Sequence, residues 1–127
     1  MKGRVPRVAD AELAVLKLLW ERQPLTAREM AESLYGSAGA SNIGTVQKLL
    51  QRLEGKRLVR RDRRSYAHRF SATVTRSAYA GQQLEHMAES LTDGSITPFI
   101  THLVEARRLS KRERDEIRRL LDGPRSK

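Results

Sequence analysis

A mainly α chain with a small β-wing is what three features of this sequence predict. Three apolar stripes at helical spacing occupy the first 55 residues, strand-like alternation follows within a run dense in arginine, and further amphipathic helices come after residue 75. The order of these elements, more than any one of them, carries the functional reading.

The first helix opens at Asp10, a residue type suited to an N-cap, with Leu13, Leu16 and Trp20 on one face and Val15 and Leu19 widening it; Pro24 closes it. Trp20 lies on that apolar face and reads as core rather than as a stacking platform. Thr26-Ala27-Arg28-Glu29 is a capping box, and Ala27, Met30, Ala31 and Leu34 keep the helical period until Tyr35-Gly36. After a loop of small residues, Ser41 or Asn42 is the next cap. Ile43, Val46, Leu49, Leu50 and Leu53 then form an apolar stripe that leaves Asn42, Thr45, Gln47, Lys48, Gln51 and Arg52 outward.

The period then changes. Residues 58–61 and 65–70 read as two strands joined through Asp62, Arg63 and Arg64, with Tyr66, His68 and Phe70 on one face. Tyr66 suits either packing beneath the hairpin or reaching a phosphate. From Thr75, another cap, a helix runs to about Leu91, with Leu84, Met87, Ala88 and Leu91 as its stripe. Asp93-Gly94 breaks it. Ile96, Phe99, Ile100, Leu103 and Val104 give the next helix, where Pro98 is accommodated in the first turn. Ser110-Lys111-Arg112-Glu113 caps a last, highly charged helix with Ile117, Leu120 and Leu121 as its apolar positions, and Gly123-Pro124 stops it.

The chain has 127 residues, 25 Lys plus Arg against 15 Asp plus Glu, and no cysteine. A net charge of +10 points to an anionic partner, nucleic acid first. Residues 1–74 carry +8 of it, and residues 56–69 alone hold seven basic groups against Asp62. Without cysteine there is no disulfide framework, thiol nucleophile or cysteine-based metal site. His68, His86 and His102 lie far apart, none with a second His or Cys at ligand spacing, so no metal and no cofactor is expected, although His86 with Glu85 or Glu89 shares a helix. No Ser/His/Asp order, phosphate loop or carboxylate pair stands out, which argues against an enzyme. The basic segment up to Arg7 leads into no apolar core and no run is long enough to span a bilayer, so a cytoplasmic protein without membrane insertion is expected.

Three helices followed by a basic hairpin is the order of a winged helix-turn-helix, whose third helix enters the major groove while the wing touches flanking backbone. Ser41, Asn42, Thr45, Gln47, Lys48 and Arg52 are the expected groove contacts. Arg61, Arg63 and Arg64 are expected on the backbone beside the groove, and Arg28 on phosphate from the second helix. Gly44 would allow close approach. The helices after residue 75 are too few to bury a core alone and are expected to pair with a second copy through Leu84, Met87, Leu91, Ile96, Phe99, Ile100, Leu103, Val104, Ile117, Leu120 and Leu121. The expected division is therefore a DNA-binding domain over 1–74 and a C-terminal helical dimerisation domain over 75–127. A homodimer would hold double-stranded DNA at a palindromic site. Two rivals keep the same fold: a protein-interaction module whose basic hairpin meets an acidic protein, and a non-specific architectural DNA binder.

Asp10-Ala11-Glu12-Leu13 with Leu19-Trp20, Pro24-Leu25-Thr26-Ala27-Arg28-Glu29, the run from Thr45-Val46-Gln47-Lys48 to Leu53, Ala67-His68-Arg69-Phe70, and Leu103-Val104-Glu105 with Leu109-Ser110 occur in that order. With these blocks the chain resembles the penicillinase-repressor (BlaI/MecI/CopY) family over about residues 8 to 122. The resemblance implies a dimeric repressor of the beta-lactamase or antibiotic-response type that holds a dyad operator shut, often released when a membrane metallopeptidase sensor triggers its cleavage. Three departures qualify it. The paired cysteines of copper-responsive members are absent; the pair aligned with the Asn-Phe cleavage bond is His102-Leu103; and Arg57 follows Lys56 where the family usually has glycine, so that either Gly55 turns the chain earlier or Arg57 adopts a strained conformation.

Overall fold

The computed structural model describes residues 6–123, which divide into two compact units, one up to Leu84 and one from Glu85 onward. This division falls about ten residues after the boundary suggested by composition, inside a helix that begins at Arg76.

In the first unit, α1 spans Asp10–Arg22. Its cap is Ala9 rather than Asp10, because Glu12 reaches back and accepts the Ala9 amide proton at 2.9 Å, leaving Asp10 as the first helical residue. A two-residue strand unforeseen in the sequence, β1 (Leu25–Thr26), comes next. It leads directly into α2 (Ala27–Tyr35), whose capping box forms as expected: Glu29 N donates to Thr26 Oγ1 at 3.1 Å and Thr26 N to Glu29 Oε1 at 2.8 Å. Gly36 ends α2 at φ 83°, a left-handed position that favours glycine.

The third helix, α3 (Ala40–Gly55), starts earlier than the sequence suggested, with Gly39 as its cap. Neither Ser41 nor Asn42 caps it. Asn42 Nδ2 instead donates to the Ser37 carbonyl and hydroxyl at 3.1 and 2.9 Å, so the side chain holds the preceding turn against the start of the helix. Val46, Leu49, Leu50 and Leu53 are buried, as their spacing requires. They pack with Val15, Leu16, Leu19, Met30, Leu58, Val59 and Phe70 in one core. Trp20 borders this core, donating from its indole to the Val74 carbonyl at 2.8 Å and lying 5.9 Å from the Tyr79 ring, which fits its reading as a packing residue.

The wing strands are β2 (Val59–Asp62) and β3 (Arg69–Ala72), both antiparallel, with β3 in the middle of the order β1-β3-β2. The second strand thus begins at Arg69, not at 65. Phe70 has partners on both sides, Leu25 and Arg61, and its burial fixes the register; Tyr66 and His68 fall in the connection. Tyr66 is fully exposed and His68 half-buried, so the three aromatic positions do not line one strand face.

The helix α4 (Arg76–Thr92) is capped by Thr75, whose hydroxyl accepts from Ala78 N at 3.0 Å. Its first turns belong to the first unit, where Tyr79 joins the core. The second unit holds the rest of α4, then α5 (Thr97–Glu105) and α6 (Lys111–Asp122). Ser110 and Glu113 cap α6 reciprocally. Ala88 is the one buried residue among those described in this unit, and its large apolar side chains stay exposed or half-buried.

Candidate nucleic-acid interface

Burial of one stripe of α3 dictates which side chains the opposite stripe presents. Ser41, Thr45, Gln47, Lys48, Gln51 and Arg52 are all exposed, while Asn42 is half-buried and engaged with Ser37. Thr45 Oγ1 donates to the Ser41 carbonyl at 3.1 Å, which fixes its rotamer and leaves its methyl group and oxygen lone pairs outward. Apart from its chain neighbours and the helix's own backbone, no atom lies within 4 Å of where a Cβ on Gly44 would stand, so the backbone is open at this point of the helix surface. The arrangement offers donors, acceptors and positive charge on a smooth helical surface, the chemistry that reads base edges and phosphates. Arg28 is exposed in the first turn of α2.

The arginines of the wing differ in what already holds them. Arg61 donates from Nε and Nη2 to the two Glu54 oxygens at 3.0 and 2.8 Å, lies 4.8 Å from the Phe70 ring centre, and places Nη1 3.2 Å from His68 Nδ1. Because a guanidinium only donates, His68 Nδ1 is the acceptor in this contact. Hydrogen bonding from Arg61 lowers the Glu54 pKa against the opposing effect of burial, and the same bond raises that of Arg61. Arg61 thus fastens β2 to α3. At the tip, Arg64 grips Asp62 through Nε and Nη2, and its amide also donates to Asp62. These bonds hold the Asp62 pKa at about 2. Arg64 nevertheless has 90% of its side chain exposed, and Arg63 beside it is exposed.

Two residues that sequence reasoning did not single out are Arg60 and Arg69. Residues opposite one another across an antiparallel ladder point to one face. The pairs Arg60 with Ser71 and Asp62 with Arg69 therefore share one face, whereas Val59, Arg61, Phe70 and Leu25 share the face turned to the core. Shifting the start of β3 to Arg69 is what exposes this division, and the buried Phe70 was the available signal.

A further clamp holds the helix end that leads into the wing. Lys56 Nζ donates to Glu12 Oε1 at 2.7 Å and to the Arg7 carbonyl at 3.2 Å. Burial raises the Glu12 pKa, but the bonds from Lys56 and the Ala9 amide, with the charges of Lys56 and Arg52, outweigh it and the net shift is downward. The signal in the sequence was the position of Glu12, on the same helix face as Val15, Leu16 and Leu19. Among the described residues no group of three or more His, Asp or Glu side chains is placed to hold a metal.

Residues 8–123 match the family model described as penicillinase repressor. The chain is 34% identical over 121 residues to the transcriptional regulator BlaI of Mycobacterium tuberculosis, in strains CDC 1551 and H37Rv, covering 94% of this chain and 86% of the relative. It is 21% identical over 119 residues to a penicillinase repressor of Bacillus licheniformis, covering 94% and 92%.

Proposed function

The chain belongs to the penicillinase repressor family and is a winged-helix DNA-binding transcriptional repressor rather than an enzyme; from that premise we propose that it acts as a homodimer on a palindromic operator. In this reading α3 docks in the major groove through Ser41, Thr45, Gln47, Lys48 and Arg52. Asn42 sets the entry of the helix, and Arg63 and Arg64 hold the backbone beside the groove while Arg61 keeps the wing fastened to α3. Arg28 contacts phosphate from α2. Occupancy of the promoter then excludes transcription.

The observation that carries this reading is the segregation of α3: Val46, Leu49, Leu50 and Leu53 are buried while Ser41, Thr45, Gln47, Lys48, Gln51 and Arg52 are exposed, within the same compact unit as a hairpin bearing exposed arginines. Residues from 75 onward supply the dimer. Leu84, Met87, Leu91, Ile96, Ile100, Val104, Leu120 and Leu121 are exposed, and Phe99, Leu103 and Ile117 half-buried, an apolar density that a second copy would cover. Among the described residues no helix is long and apolar enough to cross a membrane, and the reading places the protein in the cytoplasm with its operator. A membrane metallopeptidase as inducing partner enters through the family alone. The aligned pair lies within α5, with His102 exposed and Leu103 half-buried.

A gel shift against the DNA upstream of the chain's own gene, with scrambled duplex as competitor and salt varied, tests the reading. Retention that resists scrambled competitor is expected. Equal competition by both duplexes would favour the architectural rival, and no retention at low salt the protein-interaction module.

A further inference from the structure

We infer that a hollow beside Trp20, where α1, β3 and the start of α4 meet, is a binding site for a small planar aromatic carboxylate that carries a hydroxyl or amino donor. The inference stands apart from the DNA-binding reading, because no residue of α3 or of the wing tip lines the hollow. Its volume is about 330 Å³, within the range of small-molecule sites. Trp20 lies half-buried along it, and Glu21, Gln23, Thr75 and Arg76 are exposed around it.

What each side chain already holds decides what it has left to offer. The Trp20 indole nitrogen is committed to the Val74 carbonyl at 2.8 Å, so towards a ligand Trp20 presents only its π surface. Gln23 Oε1 accepts from Ala72 N at 2.7 Å, which fixes the amide and leaves its NH₂ group to donate. Thr75 Oγ1 accepts from Ala78 N at 3.0 Å and keeps its own proton. Arg76 is the one cation of the lining. Its guanidinium lies 5.8 Å from the Trp20 ring centre, and no carboxylate pairs with it among the described residues. An unpaired guanidinium and two neutral donors beside an indole suit a carboxylate borne on a flat ring: the fork takes both oxygens while the ring packs on the indole. Glu21 is the one acid of the lining. It repels a second negative charge and accepts from a ligand hydroxyl or amino group. The hollow therefore selects a monoanion with a donor over a phosphate or a dicarboxylate.

Trp20 is the chain's single tryptophan, so one indole N–H resonance reports on the site. Titrating the isotope-labelled full chain with para-hydroxybenzoate should shift that resonance and the backbone amides of residues 72–76 along one saturable curve. Para-hydroxybenzamide, the same ring without the negative charge, should bind at least about tenfold more weakly. This comparison decides the charge requirement on the wild type, without any variant. Arg76→Gln, at an exposed position, should weaken the carboxylate about tenfold and leave the benzamide unchanged, whereas Arg76→Lys should recover part of the loss because it keeps the charge without the fork. Glu21→Ala should abolish the preference for para-hydroxybenzoate over benzoate. No saturable shift at millimolar ligand, equal binding of the benzamide, unweakened binding by Arg76→Gln, or shifts confined to residues away from Trp20 and 72–76 would each overturn the inference. A preference for the hydroxyl that survives Glu21→Ala would overturn the part assigned to that carboxylate.

Discussion

Arg57 adopts φ 63°, where a side chain clashes with its own backbone and glycine does not. It does so because α3 runs on through Gly55 and ends in a paired closure, with Arg57 N donating to Glu54 O and Leu58 N to Leu53 O, both at 2.9 Å. Of the two possibilities left by the sequence, the strained one is realised. Arg57→Gly should raise stability to denaturant by about 1 kcal/mol without altering DNA affinity, the relief of strain exceeding the added chain entropy. The Glu12–Lys56 pair makes the opposite case. Glu12 is buried, so Lys56→Met strands a carboxylate and should cost about 2 kcal/mol at neutral pH in urea unfolding. The native pKa of Glu12 is lowered, so its contribution is present above the ordinary value of 4.5 and is lost as pH falls through the lower native value. The difference between wild type and variant should therefore close in acid; a difference that stayed constant from pH 7 to pH 3 would show that the charge of Glu12 is not what Lys56 holds.

At the scale of elements, the proposed reading divides the work of binding between α3 and the wing. Neutralising Arg63 and Arg64 should weaken binding to every sequence and flatten the salt dependence by up to about 2, read from affinities across a salt series. Gln47→Ala should leave that slope nearly unchanged and alter which base pairs are preferred in a selection from random duplexes. The helices were legible because their signals are local: a threonine and a glutamate three residues apart, or apolar residues at three- and four-residue spacing, specify the α2 cap and the α3 stripe without reference to the rest of the chain. The sheet was less legible because its signals are not local. Leu25–Thr26 is too short to declare itself a strand, and exists because β3 offers it an edge. The start of β3 depends on Phe70 finding the core, which no alternation over residues 65–70 reveals. For the same reason the sequence did not separate Arg61, which is held by Glu54 on the core side of the sheet, from Arg60 and Arg69 on its other face.

For the whole molecule, the charge and the apolar surface are distributed unequally along the chain. Residues 1–74 carry +8 of the net +10, whereas eight of the exposed large apolar side chains lie at Leu84 or beyond. In the proposed dimer a second copy covers that apolar surface, and two copies of α3 meet one duplex. Ile100→Asp with Val104→Asp, both at exposed positions, should leave the fold intact by circular dichroism and halve the mass measured by light scattering. A mass unchanged from wild type would remove α5 from the interface. The most direct test of the account is a hydroxyl-radical footprint of the full chain on a duplex selected from a random pool. Two protected segments related by a dyad, with centres one helical turn or a whole multiple apart, are the expected result. A single unsymmetrical segment, or protection spread evenly along the duplex, would contradict a dimeric repressor reading a palindrome through α3.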